Sequence, residues 1–323
     1  MQPRVFASTK DMPRETWLKM RKKGIGGSDA AAILGMSHYS TPYSVYADKV
    51  GALPEKDDTE AMRQGRDLEE YVAQRFTDQT GIKVRRRNQM LQNPEHPFML
   101  ADIDRECVGL NGIRAGLEIK TTRDIYLKRF KDGEYPDEYY CQCMHYMAVT
   151  GWERWYLAVL VYGTDFMIFQ IDRDEDEIQA LIKAEEAFWT DLEKGIAPPV
   201  DGRAPTETAV SAMYPAVNEG DDEVQLSCGD AISNYMALEA QIKLLERERD
   251  RNKEIIQCEM QDAPKAVCGA YRVSWKPSVR STLDIKRYIA DHGKIDADYY
   301  KTTVSRRFAI KEVSMARIQN IQM

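Results

Sequence analysis

Histidine is scarce in this chain and its cysteines are unpaired. The four histidines, His38, His96, His145 and His292, are scattered, so the sequence holds no imidazole-rich metal cluster, and each is expected to be structural. The six cysteines, Cys107, Cys141, Cys143, Cys228, Cys258 and Cys268, include no Cys-x-x-Cys pair. That argues against a zinc ribbon or a cysteine-clustered iron–sulfur site, and fits reduced, structural cysteines in a cytosolic protein. No apolar run approaches bilayer thickness. The N-terminus, Met-Gln-Pro-Arg-Val-Phe-Ala-Ser-Thr-Lys, has no long apolar centre, so it does not read as a secretory signal. No internal repeat is seen. Positive charge is in deficit as well: the net charge of −7 argues against indiscriminate polyanion binding. The runs Arg21-Lys22-Lys23, Arg85-Arg86-Arg87 and Lys128-Arg129 with Lys131 can still form a local positive funnel.

With 43% hydrophobic and 30% charged residues, the composition is that of an ordinary soluble protein. A length of 323 residues allows one large core or a core with an appendage. The pattern predicts a short helix over Glu15 to Met20, a turn at Gly24-Ile25-Gly26-Gly27, and a helix through Ala30 to Leu34 capped by Ser28 or Asp29. Met62, Leu68, Val72 and Phe76 mark a helix from about Glu60 to Gln79. Strands are expected at Val84–Leu91, Phe98–Val108 and Ala115–Thr121, followed by a helix over Asp137–Val149. Trp155–Tyr162 and Phe166–Ile171 form a hairpin through Gly163-Thr164-Asp165, and a helix over Glu175–Glu193 closes the region. This order predicts the α/β class, a mixed central β-sheet flanked by helices.

Pro198 to Gly220 reads as a linker, which divides the chain into a core over 1–200, a linker over 201–222 and a C-terminal accessory region over 223–323. The accessory region is expected to hold a long helix, Asp230 to Met260, and a strand pair, Tyr271–Lys276 with Ser305–Ile310, around a small helix near Ile285–Ile289. Arg249 and Asn252 break the apolar seam of the long helix, against a sustained coiled coil.

The chemistry lies in five positions. Glu69 is in a helical stretch, Asp104 just after an apolar strand, Glu118 and Lys120 on a further strand, and Gln142 in another helix. Period two points Glu118 and Lys120 to one face, and the apolar Leu117 and Ile119 to the other. Three carboxylates and a lysine meeting at a sheet edge is what metal-assisted cleavage of a phosphodiester requires. Asp102 points the same way as Asp104, so spacing alone does not choose between them. A hard cation such as Mg²⁺ takes oxygen ligands: Asp104, Glu118 and the main-chain carbonyl of Ile119, with Glu69 serving that ion or a second one. Lys120 would orient or deprotonate a water, or stabilise the charge of the transition state.

Glu69, Asp104 and Glu118-x-Lys120 resemble the PD-(D/E)xK nuclease superfamily. More narrowly, the chain resembles the YqaJ-like viral recombinase family and, at greater distance, phage lambda exonuclease. The resemblance runs from about Lys19 to Tyr162. It rests on Arg21-Lys22-Lys23-Gly24-Ile25-Gly26-Gly27-Ser28-Asp29, Ala32-Ile33-Leu34-Gly35, Thr41-Pro42-Tyr43, Gly65-Arg66-Asp67-Leu68-Glu69, Ala101-Asp102-Ile103-Asp104, Leu117-Glu118-Ile119-Lys120-Thr121, Tyr139-Tyr140-Cys141-Gln142 and Met147-Ala148-Val149-Thr150-Gly151. It selects Asp104 over Asp102 and implies a restriction-endonuclease-like core. It implies that Arg21 and Ser28 bind the 5′-phosphate of a DNA end, and that Gln142 lies beside the metal site. Three positions depart from the pattern: Ile103 and Arg105 stand where many relatives have Pro and Gly, and Met144 stands where they often have a second glutamine.

The function implied is an Mg²⁺-dependent exonuclease, with Mn²⁺ able to substitute. It would digest one strand of linear double-stranded DNA 5′ to 3′ from ends, leaving 3′ single strands for phage-type recombination. The implied partners are DNA ends, a RecT-like single-strand annealing protein and further copies of the chain in a ring such as a trimer, in the cytoplasm of the bacterial host, with no membrane involved. The rivals are an internally cutting or structure-dependent endonuclease and a catalytically silent DNA-end-binding factor.

Overall fold

A computed structural model of the chain describes residues 2–55, 58–123, 129–130, 133–215, 223–300, 308 and 310. Lys128, Lys131 and the strand expected at Ser305–Ile310 (apart from two isolated positions) lie outside the described residues. Two compact units, Met1–Pro215 and Ala216–Met323, make up the chain.

The first unit opens with β1 (Arg4–Ser8), α1 (Arg14–Arg21), α2 (Gly27–Ile33) and α3 (Pro42–Lys49). Neither Ser28 nor Asp29 is the N-cap of α2. Gly26 is, and Asp29, three residues on, accepts a hydrogen bond from the Gly26 N–H at 3.0 Å. In α3, Thr41 caps the Ser44 N–H at 3.1 Å and Ser44 Oγ accepts from the Thr41 N–H at 2.8 Å, with Pro42 pre-set for the first turn. α4 (Glu60–Thr80) buries Val72, Ala73 and Phe76 and ends at Gly81, whose φ of 73° suits glycine.

Two strands expected as single runs are each divided. Val84–Leu91 becomes β2 (Lys83–Arg85) and β3 (Gln89–Gln92), because Asn88 takes φ 47° and turns the chain into another sheet. Phe98–Val108 becomes β4 (Leu100–Asp102) and β5 (Arg105–Val108). β6 (Ala115–Thr122), α5 (Asp137–Thr150), β7 (Arg154–Val161), β8 (Asp165–Asp172) and α6 (Glu175–Glu193) follow near their expected bounds. The main sheet has the order β2-β5-β6-β7-β8, with β6 and β7 parallel and the other pairs antiparallel. The connection between the parallel pair carries α5. β1, β3 and β4 form a separate antiparallel sheet.

Period two sorts the main sheet into two faces. Ala115, Leu117 and Ile119 of β6, with Tyr156, Ala158 and Leu160 of β7, pack with Phe76 and Val72 of α4. Trp155, Leu157, Val159 and Val161 pack on the other side with Met144, Met147 and Ala148 of α5 and Ile178, Leu181 and Ile182 of α6. Met144, where relatives often carry glutamine, is thus a core residue. Gly116 lies under the Trp155 indole: a Cβ there would stand 2.2 Å from the ring.

The stretch read as a linker contains α7 (Ala204–Met213), which packs on α3. Its Thr206 hydroxyl lies 2.8 Å from that of Thr41, both buried, and Arg203 donates to the Ser37 carbonyl at 2.5 Å. The Pro and Thr residues that suggested a linker serve this helix start instead. In the second unit α8 (Gly229–Met260) buries only Met260. β9 (Lys265–Cys268) pairs antiparallel with β10 (Tyr271–Ser274), so among the described residues the Tyr271 strand pairs with its immediate predecessor in the chain. α9 (Ile285–His292) follows. No helix among the described residues is long and apolar enough to cross a membrane. Burial pushes the Cys107 and Cys141 thiols up to about 12, with smaller contributions from Glu106 and Glu185, as expected of unreactive structural cysteines.

Candidate active site

β5 begins at Arg105, opposite Leu117, so beyond Leu117 the edge of β6 that would face β5 has no strand against it. Asp104 fills that gap: its Oδ2 accepts from the Ile119 N–H at 2.7 Å. A strand residue presents its N–H and C=O to the same side, which places the Ile119 carbonyl on this open edge too. Glu118 and Lys120 emerge from the α5 face. Lys120 Nζ donates to Glu118 Oε1 at 2.6 Å and to Gln142 Oε1 at 2.9 Å, and Gln142 Nε2 donates to Glu118 Oε1 at 2.7 Å and to the Tyr146 hydroxyl at 2.9 Å. Lys120 also lies over the Tyr139 ring, 5.0 Å from its centroid. All four expected groups on this side are therefore brought together.

Glu69 comes from α4, on the opposite face, and reaches the same edge. Its Oε1 accepts from Arg105, which also donates to Glu70 at 3.0 Å and to the Asp104 carbonyl at 2.7 Å. Among the described residues no three carboxylate, imidazole or thiol groups close on a single point. The sheet edge separates Glu69 from Glu118, and Arg105 engages Glu69.

The electrostatics follow from burial. The Asp104 carboxyl is pushed well up by burial and by the negative charges of Glu118 and Glu69, partly offset by Lys120 and the Ile119 N–H. Glu118 is raised by burial, which outweighs Lys120 and Gln142. Burial alone would lower Lys120, but Glu118 and Asp104 outweigh it and raise it, so the group is an ammonium at neutral pH. Among the described residues Glu118 Oε2 is buried with no hydrogen-bond partner. That orphaned oxygen, with the Asp104 carboxyl that feels the Glu118 charge, offers hard oxygen donors of the kind a hard divalent cation takes.

The second set of expected residues lies on α1 and α2. Arg21 donates to the Ser28 hydroxyl and pairs with Asp29 at 3.6 Å. Lys49 of α3, 2% exposed at its side chain, bonds Asp29 at 2.6 Å and the Arg21 carbonyl at 3.2 Å. The Arg21 guanidinium lies over Trp17, 5.4 Å from the ring centroid, and the Trp17 indole donates to Asp102. Asp102 thus bonds Trp17, whereas Asp104 bonds the Ile119 N–H. A Cβ on Gly27 would meet Gln142 at 2.8 Å and Tyr146 at 2.7 Å, so the bare glycine lets α2 pack closely against α5.

Trp17, Asp29, Lys49, Arg105, Tyr139 and Tyr146 were not assigned roles from sequence. Arg105 carried a signal: alternation with the apolar Ile103 and Cys107 puts it on an inward face, where a guanidinium needs carboxylates. Of the basic runs, Arg85 and Arg87 pair with Glu106 at 3.1 and 3.2 Å, Arg86 with Glu70 at 3.3 Å, and Arg129 with Glu138 at 3.0 Å. These arginines balance neighbouring carboxylates.

The model of the YqaJ-like viral recombinase domain matches residues 16–153, a span that holds every residue named at the sheet edge and the Arg21–Ser28 pair. "Uncharacterized protein YqaJ" of Bacillus subtilis (strain 168) is 37% identical over 316 residues, covering 96% of this chain and 98% of that protein. The chain belongs to the YqaJ-like viral recombinase family. Because the likeness to the Bacillus protein runs nearly end to end, this family member shares both of its units with a relative. Among solved structures, the chain is similar to the alkaline exonuclease LHK-Exo of Laribacter hongkongensis, with TM-score 0.48 and 21% identity over 56% of this chain and 93% of that one. It is also similar to a phage related exonuclease of Haemophilus somnus 129PT, with TM-score 0.39 and 12% identity over 53% and 96%. The assignment rests on the family and not on these two.

Proposed function

We propose that this chain is a metal-dependent deoxyribonuclease of the PD-(D/E)xK kind. It digests one strand of linear duplex DNA 5′ to 3′ from an end and leaves a 3′ single strand for phage-type recombination. The observation that carries this reading is the buried, partnerless Glu118 Oε2 within a sheet-edge gap shared with Asp104 and Lys120. Asp104, Glu118 and the Ile119 carbonyl would hold Mg²⁺, or Mn²⁺ in its place, and Glu69 would complete the set from the helix side. Bound there, the cation supplies positive charge to the scissile phosphate and acidity to a water.

The chain's own groups do the rest. Lys120, held as an ammonium between Glu118 and Gln142, offers a fixed positive charge to the phosphorane-like transition state. Gln142 holds Lys120 and Glu118 in register, with Tyr146 fixing its amide in turn. Arg21 and Ser28, on the α2 side of Gln142, would take the terminal 5′-phosphate and so set where cleavage begins. The reading extends to a RecT-like annealing partner and a ring-shaped homo-oligomer that would encircle the duplex.

The test is incubation with linear 5′-phosphorylated duplex and with closed circular duplex in Mg²⁺, beside Lys120→Ala. Loss of the linear DNA alone, abolished in the variant, is the expected result. Cutting of the circle would make the protein an endonuclease. Binding of ends with no hydrolysis of either substrate would leave an end-binding recombination factor.

A further inference from the structure

Arg105, the residue after Asp104, is tied at three points. Its register partner on β6 is Leu117, so it projects to the α4 face, and only 3% of its side chain is exposed. A guanidinium buried there must satisfy its donors on anions or carbonyls. One nitrogen, Nη1, donates both to Glu69 Oε1 and to the main-chain carbonyl of Asp104, the latter at 2.7 Å. The other, Nη2, donates to Glu70 Oε2 at 3.0 Å. A single atom thus joins the helix-borne carboxylate to the backbone of the sheet-borne one. Arg86, more than half exposed, adds longer contacts to Glu69 and Glu70 at 3.7 and 3.3 Å.

Resting on the metal-dependent reading above, we infer that Arg105 is a positioning residue: it fixes the separation of Glu69 from Asp104 across the sheet edge and thereby sets the affinity of the site for its divalent cation. Three features carry this. Glu69 and Glu118 lie on opposite faces of the sheet, so nothing in the sheet itself fixes their distance. The guanidinium is pinned by three acceptors and buried, so it cannot swing away when Glu69 is recruited. It also engages Glu69 through Oε1, which leaves the second oxygen for a cation. A lysine would offer one point charge in place of the planar fork, and would hold one carboxylate at a time.

The experiment uses the full chain and four proteins: wild type, Arg105→Met, Arg105→Lys and Glu70→Gln. Calorimetric titration with Mn²⁺ and Mg²⁺ gives the dissociation constants. The metal dependence of linear-duplex hydrolysis gives the half-saturating concentration and kcat separately, and a cooperative melt checks folding. Arg105→Met is expected to weaken metal binding about 10- to 100-fold, the range for loss of a group that orients a ligand, and to raise the half-saturating metal by the same factor. Its kcat at saturating metal should change little. Arg105→Lys should fall between, and Glu70→Gln, which weakens one of the three anchors and leaves the other two, should fall between wild type and Arg105→Lys. A folded Arg105→Met protein with wild-type or tighter metal binding would overturn the assignment, as would a loss confined to kcat. If wild type binds Mn²⁺ but hydrolyses nothing, the nuclease reading falls while the titrations still judge Arg105. If wild type binds neither metal, both fall.

Discussion

Asp29 is the residue on which Arg21 and Lys49 converge. Burial works against its ionisation, but Lys49, Arg21 and the Gly26 N–H outweigh it and hold the carboxyl down to about 2. A carboxyl depressed in the folded state stabilises it above the unfolded value near 4, and that contribution is lost as pH falls through about 2. Asp29→Asn should therefore cost on the order of 2 kcal/mol at neutral pH. In urea titrations at several pH values, its deficit against wild type should shrink chiefly below about pH 4. His145 and Glu185 form a second buried pair, 2.7 Å apart and fully enclosed, with the other imidazole nitrogen 2.9 Å from the Leu100 carbonyl. His145→Ala strands the carboxylate, whose Oε2 already has no partner, and should cost about 3–5 kcal/mol by denaturant unfolding. Glu118 and Lys120 were legible at this scale because strand alternation is local. Asp29 and Lys49 were not, since their partnership joins two helices.

At the scale of elements, the site depends on two bare glycines that let elements approach. Gly116 on β6 faces the Trp155 ring, and Gly116→Ala should destabilise by about 1–3 kcal/mol through overpacking. Gly27 is where α2 touches Gln142 and Tyr146. Gly27→Ala should therefore reduce kcat by up to about 100-fold through displacement of Gln142. The loss should exceed any fall in melting temperature, and a Gly27→Ala protein with full kcat would argue against Gln142 as the group that holds Lys120. The strand divisions at Asn88 and at Ile103-Asp104 belong here too. The apolar pattern runs through Ile103, so there periodicity alone joined what sheet membership separates, whereas the polar run 85–89 carries no such pattern and is broken by the positive φ of Asn88. The chain leaves one sheet at Asp102 and enters the other at Arg105, and Asp104 is a site residue because it sits at that crossing.

For the whole molecule, every residue of the candidate site lies within Met1–Pro215, including α7, whose Thr206 is buried against Thr41. A chain ending at Pro215 should fold cooperatively by denaturant titration and keep the metal dependence of the full protein, whereas one ending at Pro199 should lose stability because it removes α7 from α3. The helix inside the stretch read as a linker escaped the sequence pattern for a physical reason. α7 is a ten-residue helix of small residues, stabilised by Thr206 and Ala209 packing against α3 rather than by any strong pattern of its own.

Alone, the sequence determined what strand and helix periodicity encode: the mixed α/β class, the long helices, the Glu118–Lys120 face and the family motifs from Arg21 to Gly151. Tertiary structure decided the rest: Asp104 in the open edge beside Ile119 while Asp102 bonds Trp17, Glu69 on the far face of the sheet, and Arg105 tying Glu69 to the Asp104 main chain. Local periodicity fixes which way a side chain points, but where strands end and which faces meet at an edge is set only when distant segments pack, and the site is built at such an edge.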